Sequence, residues 1–383
     1  MRHTPSHERS VVDDVCRVLA LRANGIGDFL VVIPALTAVR HAYPEAEITV
    51  VGDAWLPALV AGRPGPWDRC LVAPKYPGLR GLPADAAPAA DTEQFIAARC
   101  RERVDLALQL HGGGGTSNTF VSSLGARVTA GARADGAPPL DRTVPYLPHR
   151  HEVLRWLDVV ALVGATHLGA VDELTPRIAV TERDRDEARR VLPGGHPYVA
   201  LHVGARDARR RWPAERFVEL SRRIMAAGLH VVLVGGPDDR AASARAAARL
   251  GDRDRVRNVT GRLSLSGTIG VLADAAAFVG NDSGPRHLAA AVGTSTVGVF
   301  WLTNVFAFGP LVGVADRALV SQQVHCPVCG EEQLETRCQH DVSFVDAVAV
   351  DEVEAALWQV LGVERRRPAS RPAADVGAEE AAG

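Results

Sequence analysis

Lysine is almost missing from this chain: of 43 basic residues only Lys75 is a lysine, and arginine carries the rest of the positive charge. Positive charge is also not in excess. Against 45 acidic residues the formal net charge is −2, which argues against a generic nucleic-acid binder. No apolar run reaches the roughly 18–20 residues that span a bilayer, so no membrane span is expected, although peripheral contact with a membrane stays open. The opening stretch MRHTPSHERSVVDD lacks the apolar core of a signal peptide, and a cytoplasmic location is expected. Six cysteines in 383 residues are too few for a disulfide scaffold.

What remains is an ordinary globular composition, 47% hydrophobic and 23% charged. The length suits two domains. Short β-branched runs alternate with amphipathic stretches. Strands are expected at Val15–Arg22, Glu47–Val51 and Val104–Leu110, with helices from Asp28 to about His41 and over His151–Gly164. Pro176 and the charged run Thr181–Arg190 mark a change of region. The alternation then restarts with strands at Tyr198–Val203, Leu229–Val234, Val256–Thr260, Ala276–Gly280 and Thr296–Trp301. Between them lie the helices Pro213–Ala227, Asp238–Leu250, Ser264–Ala275 and Gly284–Val292. Such a pattern predicts an α/β protein with two doubly wound parallel sheets, divided near residue 175. The tail 365–383 has little apolar content and is expected to be disordered. In such sheets ligands bind beyond the carboxyl ends of the strands, here in the cleft between two domains.

The residues at those strand ends are informative. Gly25-Ile26-Gly27-Asp28 turns a strand into a helix, and Asp28 reads as either a helix cap or a general base facing the cleft. Leu30 stands where a dinucleotide fingerprint needs its third glycine, which argues against an oxidoreductase. His111 precedes four glycines, a surface open to a ligand or simply a loop. Arg206 and Arg209–Arg211 precede Trp212-Pro213, and guanidinium forks there can clamp phosphate. Gly235-Gly236-Pro237-Asp238 could receive a ribose or serve as a plain turn. In Asn281-Asp282-Ser283-Gly284-Pro285, followed by His287, the Ser283 hydroxyl, backbone amides and a helix N-terminus converge on a point suited to pyrophosphate. Asp282 would repel that phosphate and instead suits sugar hydroxyls. The triplets Asp184-Arg185-Asp186 and Asp252-Arg253-Asp254 read as solvated charge.

Together, "RANGIGDFLVVIPALTAVRHAYP", "VALHVGARDARRRWPAERFVEL", "VVLVGGPDD" and "VTGRLSLSGTIGVLADAAAFVGNDSGPRHLAAAVGTSTVGVF" resemble glycosyltransferase family 9, the bacterial heptosyltransferases and their relatives. The resemblance runs from about Val15 to Leu361. It implies a GT-B architecture, two Rossmann-like domains with the active site between them. Residues 1–175 would form the acceptor domain and 176–364 the nucleotide-sugar donor domain. It implies an inverting, metal-independent transferase that uses a nucleotide-diphosphate sugar, such as ADP-heptose, and needs no cofactor for catalysis. The acceptor would be a glycan, a lipid-linked sugar or a small molecule. Asp28 falls on the family's base. Gly27, Arg206, Arg210, Asp238, Leu263, Asp282, Ser283, Gly284 and His287 fall on or beside donor-binding positions. Where the family commonly reads Gly-Pro-Thr, this chain has Trp301-Leu302-Thr303-Asn304. A nucleotide-sugar epimerase of the same fold and a non-catalytic nucleotide-sugar-binding protein are the alternative readings.

Cys326, Cys329, Cys338 and His340 follow the spacing C-x2-C-x8-C-x-H. Three thiols and an imidazole so spaced can form a structural zinc site, with His325 as an alternative ligand. Reduced cysteines without metal are the other reading.

Overall fold

A computed structural model describes residues 11–362 except positions 80, 84, 85, 167, 193, 194, 313 and 314. The expected disordered tail lies outside the described residues. The first half contains β1 Arg17–Leu21, β2 Glu47–Gly52, β3 Arg69–Val72, the short pair β4 Tyr76–Pro77 and β5 Gly81–Leu82, β6 Leu106–Gln109, β7 Val128–Arg133 and β8 Arg142–Pro145. Its helices are α1 Ile26–Leu30, α2 Ile33–Ala42, α3 Leu56–Val60, α4 Thr92–Glu102, α5 Ser117–Ser123 and α6 Glu152–Ala161. The second half contains β9 Tyr198–His202, β10 His230–Leu233, β11 Val256–Asn258, β12 Ala277–Asn281, β13 Thr296–Trp301 and β14 Asp316–Ser321. Its helices are α7 Glu182–Val191, α8 Ala214–Ala226, α9 Arg240–Leu250, α10 Leu265–Ala273, α11 Gly284–Ala291, α12 Leu302–Phe308 and α13 Val350–Val360.

The strands form two six-stranded sheets in the same order, β3-β2-β1-β6-β7-β8 and β11-β10-β9-β12-β13-β14. Every pairing is parallel; Leu19 lies between Thr49 and Ala107, and Leu201 between Leu233 and Val279. Parallel strands need covered faces, which explains their near-continuous apolar runs. Strand order reverses between β1 and β6 and again between β9 and β12. Those two reversals are where a ligand crevice opens in such sheets.

The expected helix from Asp28 to His41 is two helices. The chain turns at Val31-Val32 and restarts with Pro34 in the first turn of α2. Proline has no N–H to give, so it starts a helix better than it continues one. Ser264 caps α10 as expected, its hydroxyl accepting from Gly267 N at 3.1 Å. His151 caps α6, with Nδ1 accepting from Val153 N at 3.2 Å. The charged run expected to lie in solvent is α7, started by a Thr181/Asp184 capping box. Asp184 is fully buried rather than solvated, because Arg63 reaches across to form a bidentate pair at 2.7 and 3.0 Å. α7 packs on α10 where Gly270 stands. A Cβ there would meet the Asp184 carbonyl oxygen at 2.0 Å, so only glycine permits the approach. Asp252 caps a local turn through the amides of Asp254 and Arg255.

Candidate active site

The cleft between the two sheets, about 930 Å³, is lined by the ends of β1, β9 and β12 and the helices that follow. Of the residues expected from sequence, Gly27, Asp28, Arg206, Arg210, Asp238, Asp282, Ser283, Gly284 and His287 all line it. Leu263 does not; it packs at the edge of the apolar core, 3.2 Å from where a Cβ on Gly267 would stand. The His111 glycine loop is also absent from the cleft wall. Gly112 and Gly114 adopt φ of 62° and 87°, and Asn118 fills the space above Gly114.

Asp28 lies in the first turn of α1 but makes no cap hydrogen bond. Its carboxylate is held from the side instead. Buried Arg22 donates from Nη2 to Asp28 Oδ1 at 2.9 Å and from Nε to the Asp28 carbonyl at 2.9 Å. Arg22 also reaches the Leu110 carbonyl at 2.8 Å and Glu152 Oε2 at 3.2 Å. Glu152, itself buried, accepts from Arg155 Nε at 2.9 Å and Trp156 Nε1 at 3.0 Å. A buried ion pair is costly unless its other donors and acceptors are also bonded, and Arg22 here uses Nε, Nη1 and Nη2, although Arg155 Nη1 at the far end of the network has no hydrogen-bond partner among the described residues. Asp28 thus has one oxygen pinned, and its side chain stays 33% exposed to the cleft. Beside it, His111 Nδ1 accepts from Ala23 N at 3.3 Å. Burial and the Arg22 charge push His111 down to about 4, against the opposing pull of Asp28, so this imidazole stays neutral.

The opposite wall carries Asp282. It is 2% exposed and accepts from His287 Nε2 at 3.3 Å, Arg210 Nη1 at 3.2 Å and Asn304 Nδ2 at 2.9 Å. Burial alone would raise its carboxyl, but the bond from His287 and the charges of Arg286 and Arg210 hold it below the ordinary range. Burial, then Arg286, pushes the His287 imidazole down. A neutral His287 fits the geometry: Nε2–H donates to Asp282, while Nδ1 can accept from Arg286 Nη2 at 3.3 Å. Ser283 is the N-cap residue of α11, and its hydroxyl donates to the Asn281 carbonyl at 3.0 Å.

Sequence reasoning missed several supporting residues. His202 lies between Ser283 Oγ at 2.9 Å and Asp239 Oδ2 at 3.1 Å, so it fixes the hydroxyl at the α11 N-terminus. Asn281, fully buried, accepts from Trp212 N at 2.9 Å and donates to the Gly204 carbonyl at 3.0 Å, tying the arginine loop to the end of β12. The available signals were Arg22 closing an apolar strand and His202 closing β9. Nothing in the sequence signalled Glu152, 130 residues from Arg22.

A second cluster lies beyond β14. The ligand atoms of Cys326, Cys329, Cys338 and His340 all lie within 4.8 Å of one another, and Cys326 Sγ is 3.7 Å from His340 Nδ1. Ligands around a tetrahedral metal with sulfur bonds of about 2.3 Å sit roughly 3.8 Å apart, so this donor set fits such an ion. His325 is outside the set; its backbone forms an isolated antiparallel β-bridge with Glu332.

Residues 95–338 match the family model of glycosyltransferase family 9 (heptosyltransferase). Lipopolysaccharide heptosyltransferase 1 of Pseudomonas aeruginosa is 29% identical over 306 residues, 75% of this chain and 79% of that protein. Among solved structures, a glycosyl transferase family 9 protein of Veillonella parvula superposes with a TM-score of 0.72 at 19% identity, over 91% of this chain and 97% of that one. ADP-heptose lps heptosyltransferase II of E. coli superposes with a TM-score of 0.70 at 18% identity, over 90% of this chain and 98% of that one. Such likenesses bear on the fold, which is GT-B.

Proposed function

The chain belongs to glycosyltransferase family 9, and from that premise we propose that it transfers a heptose from ADP-heptose to an acceptor hydroxyl, with inversion and without a catalytic metal. The relatives' names supply the donor and suggest a lipopolysaccharide acceptor, a lipid-linked glycan. Residues 1–175 carry the base and the acceptor side, and residues 176–364 the donor side. The observation that carries the reading is Asp28, pinned through Oδ1 by Arg22 and exposed to a cleft whose far wall is Arg210, Asp282, Ser283 and His287.

In this mechanism Asp28 takes the acceptor hydroxyl proton as that oxygen attacks the anomeric carbon. The bond to the diphosphate breaks on the opposite face, and one displacement inverts the centre. Charge growing on the diphosphate is met by Arg210, Arg206 and the α11 N-terminus. Asp282, ionised and anchored by three donors, accepts from sugar hydroxyls. Asp238 lies at the cleft edge, within reach of a ribose. The Cys/His cluster is read as a structural zinc site: four protein ligands leave no open position for substrate. Among the described residues no helix is long and apolar enough to cross a membrane. The expected place of action is the cytoplasmic side, with peripheral contact to a lipid-borne acceptor.

The test is Asp28→Asn. It should lower kcat by roughly 10²–10⁴-fold, the usual worth of a general base, and leave ADP affinity within twofold. Retention of full transfer activity would remove Asp28 from the base role.

A further inference from the structure

Next to the cleft, and sharing Arg210 with it, lies a second cavity of about 450 Å³. One wall is Arg209, Arg210, Trp301, Thr303 and Asn304; the other is the loop Gln333–Arg337. That loop lies between Cys329 and Cys338, inside the Cys/His cluster. We infer that metal binding by Cys326, Cys329, Cys338 and His340 sets this loop as the outer wall of a sugar subsite, which takes the donor's transferred sugar beside Asp282. The inference rests on the proposed donor reading.

Three observations converge on it. First, the loop is held mostly by contacts within its own turn and beside the cluster. Glu335, Thr336 and Arg337 are exposed, and the loop has no strand or helix of its own. Its internal order comes from buried Gln333, which accepts from Cys338 N at 3.1 Å and whose own N–H donates to the Val324 carbonyl at 2.9 Å, and from Thr336, whose hydroxyl donates to the Glu332 carbonyl at 2.6 Å. These contacts lie within the turn or next to the cluster. A metal fixing Cys329 and Cys338 closes the loop at both ends and removes its remaining freedom. Second, the facing wall is joined to the cleft. Asn304 lines this cavity and donates to Asp282 Oδ2 at 2.9 Å. The carboxylate proposed to bind sugar lines the cleft, and Asn304 links it to the second cavity. Third, the lining suits a polyhydroxyl ligand rather than a second phosphate. Arg209 is engaged by Asp207 at 2.7 Å, and Arg337 lies 3.6 Å from Asp341 and 3.9 Å from Asp207. Those two cations are therefore largely compensated, while Thr303, Asn304 and Thr336 add neutral hydroxyl and amide groups, each already hydrogen-bonded within the protein. Three thiolates and an imidazole suit zinc, and iron in the same geometry.

The experiment measures metal and ligand on the full chain, purified without chelator or polyhistidine tag. Elemental analysis should find one zinc or iron per chain in wild type and none in Cys329→Ser. Visible absorption separates iron from colourless zinc. Calorimetric titration with ADP and with ADP-heptose then reads the two parts of the donor separately. Wild type should bind ADP-heptose more tightly than ADP. Cys329→Ser should hold ADP within about twofold yet lose at least tenfold for ADP-heptose. Thr336→Ala/Arg337→Ala, which leaves all four ligands in place, should keep the metal and the ADP affinity and lose most of the same preference. Metal-free wild-type protein, or an unchanged ADP-heptose preference in both variants, overturns the inference. So does an equal loss of ADP and ADP-heptose in Cys329→Ser, which would mark a collapse of the whole donor site. If metal-loaded wild type binds neither ligand, the donor reading itself falls, and the inference with it.

Discussion

At the scale of single residues, the site works by keeping selected groups uncharged beside others that must stay charged. His111 is the clearest case. It adjoins the Arg22–Asp28 pair, and its folded value of about 4 lies below the ordinary 6.5. As pH falls, the unfolded chain takes up this proton first. Stability from His111 is therefore complete above about 6.5, declines between 6.5 and 4, and is constant below; the full loss is ~3 kcal/mol. Urea unfolding at pH 7.5 and 5.0 should show wild type losing stability on acidification, and His111→Asn should show a flatter dependence. Part of the slope should survive in the variant, because burial also pushes His151 and His287 down. An identical slope in both proteins would refute the assignment. Asp28, Arg210 and Asp282 line one cleft, and their placement could be anticipated because each stands near a strand end inside a recognisable run. Arg22, Glu152 and His202 could not be assigned roles, because their function is to hold those residues across distances that only folding closes.

At the scale of elements, strand positions were largely legible because buried parallel strands read as short β-branched runs. Boundaries and the polar helix were not. α7 is almost wholly charged, and the one buried charge on it, Asp184, meets Arg63 from α3's C-terminal side. A charge pattern along one helix does not reveal a partner 121 residues away. Arg63→Met strands Asp184 without its counter-ion, and breaking a buried pair from one side should cost about 3–5 kcal/mol. Arg63→Met/Asp184→Asn should regain much of that. The amide can still accept from Thr181 N, which now donates to Asp184 Oδ2 at 2.8 Å, and no uncompensated charge remains. Equilibrium denaturation of the two variants decides it. If the double variant is no more stable than the single one, α7 is held by its packing on α10 around Gly270 and the ion pair is incidental. The Cys/His cluster, by contrast, was fully readable as a cluster, since four side chains within 15 residues can be brought together by local turns alone.

At the scale of the whole molecule, the proposed reaction needs the two sheets close enough for Asp28 on one side to serve a bond broken on the other. Across the cleft α1 packs against α11. A Cβ on Gly27 would stand 2.7 Å from His287 Cδ2. His287 cannot easily yield: it is tied to Asp282 and packs edge-on to Phe308 with ring centroids 5.7 Å apart. Gly27→Ala should therefore separate the two helices rather than rotate the histidine. In the proposed reading the donor's phosphates and base rest mainly on residues of the second sheet, so ADP affinity should change by less than about twofold. The base would be displaced from the anomeric carbon, and a misplacement near 1 Å can lower kcat by roughly 10²-fold. Calorimetry with ADP alongside steady-state transfer kinetics separates these effects. Matched losses in affinity and rate would instead make Gly27 part of the donor-binding surface, as its position in the sequence motif suggests. A kcat loss alone would make it the spacer that sets the distance between the two halves of the active site.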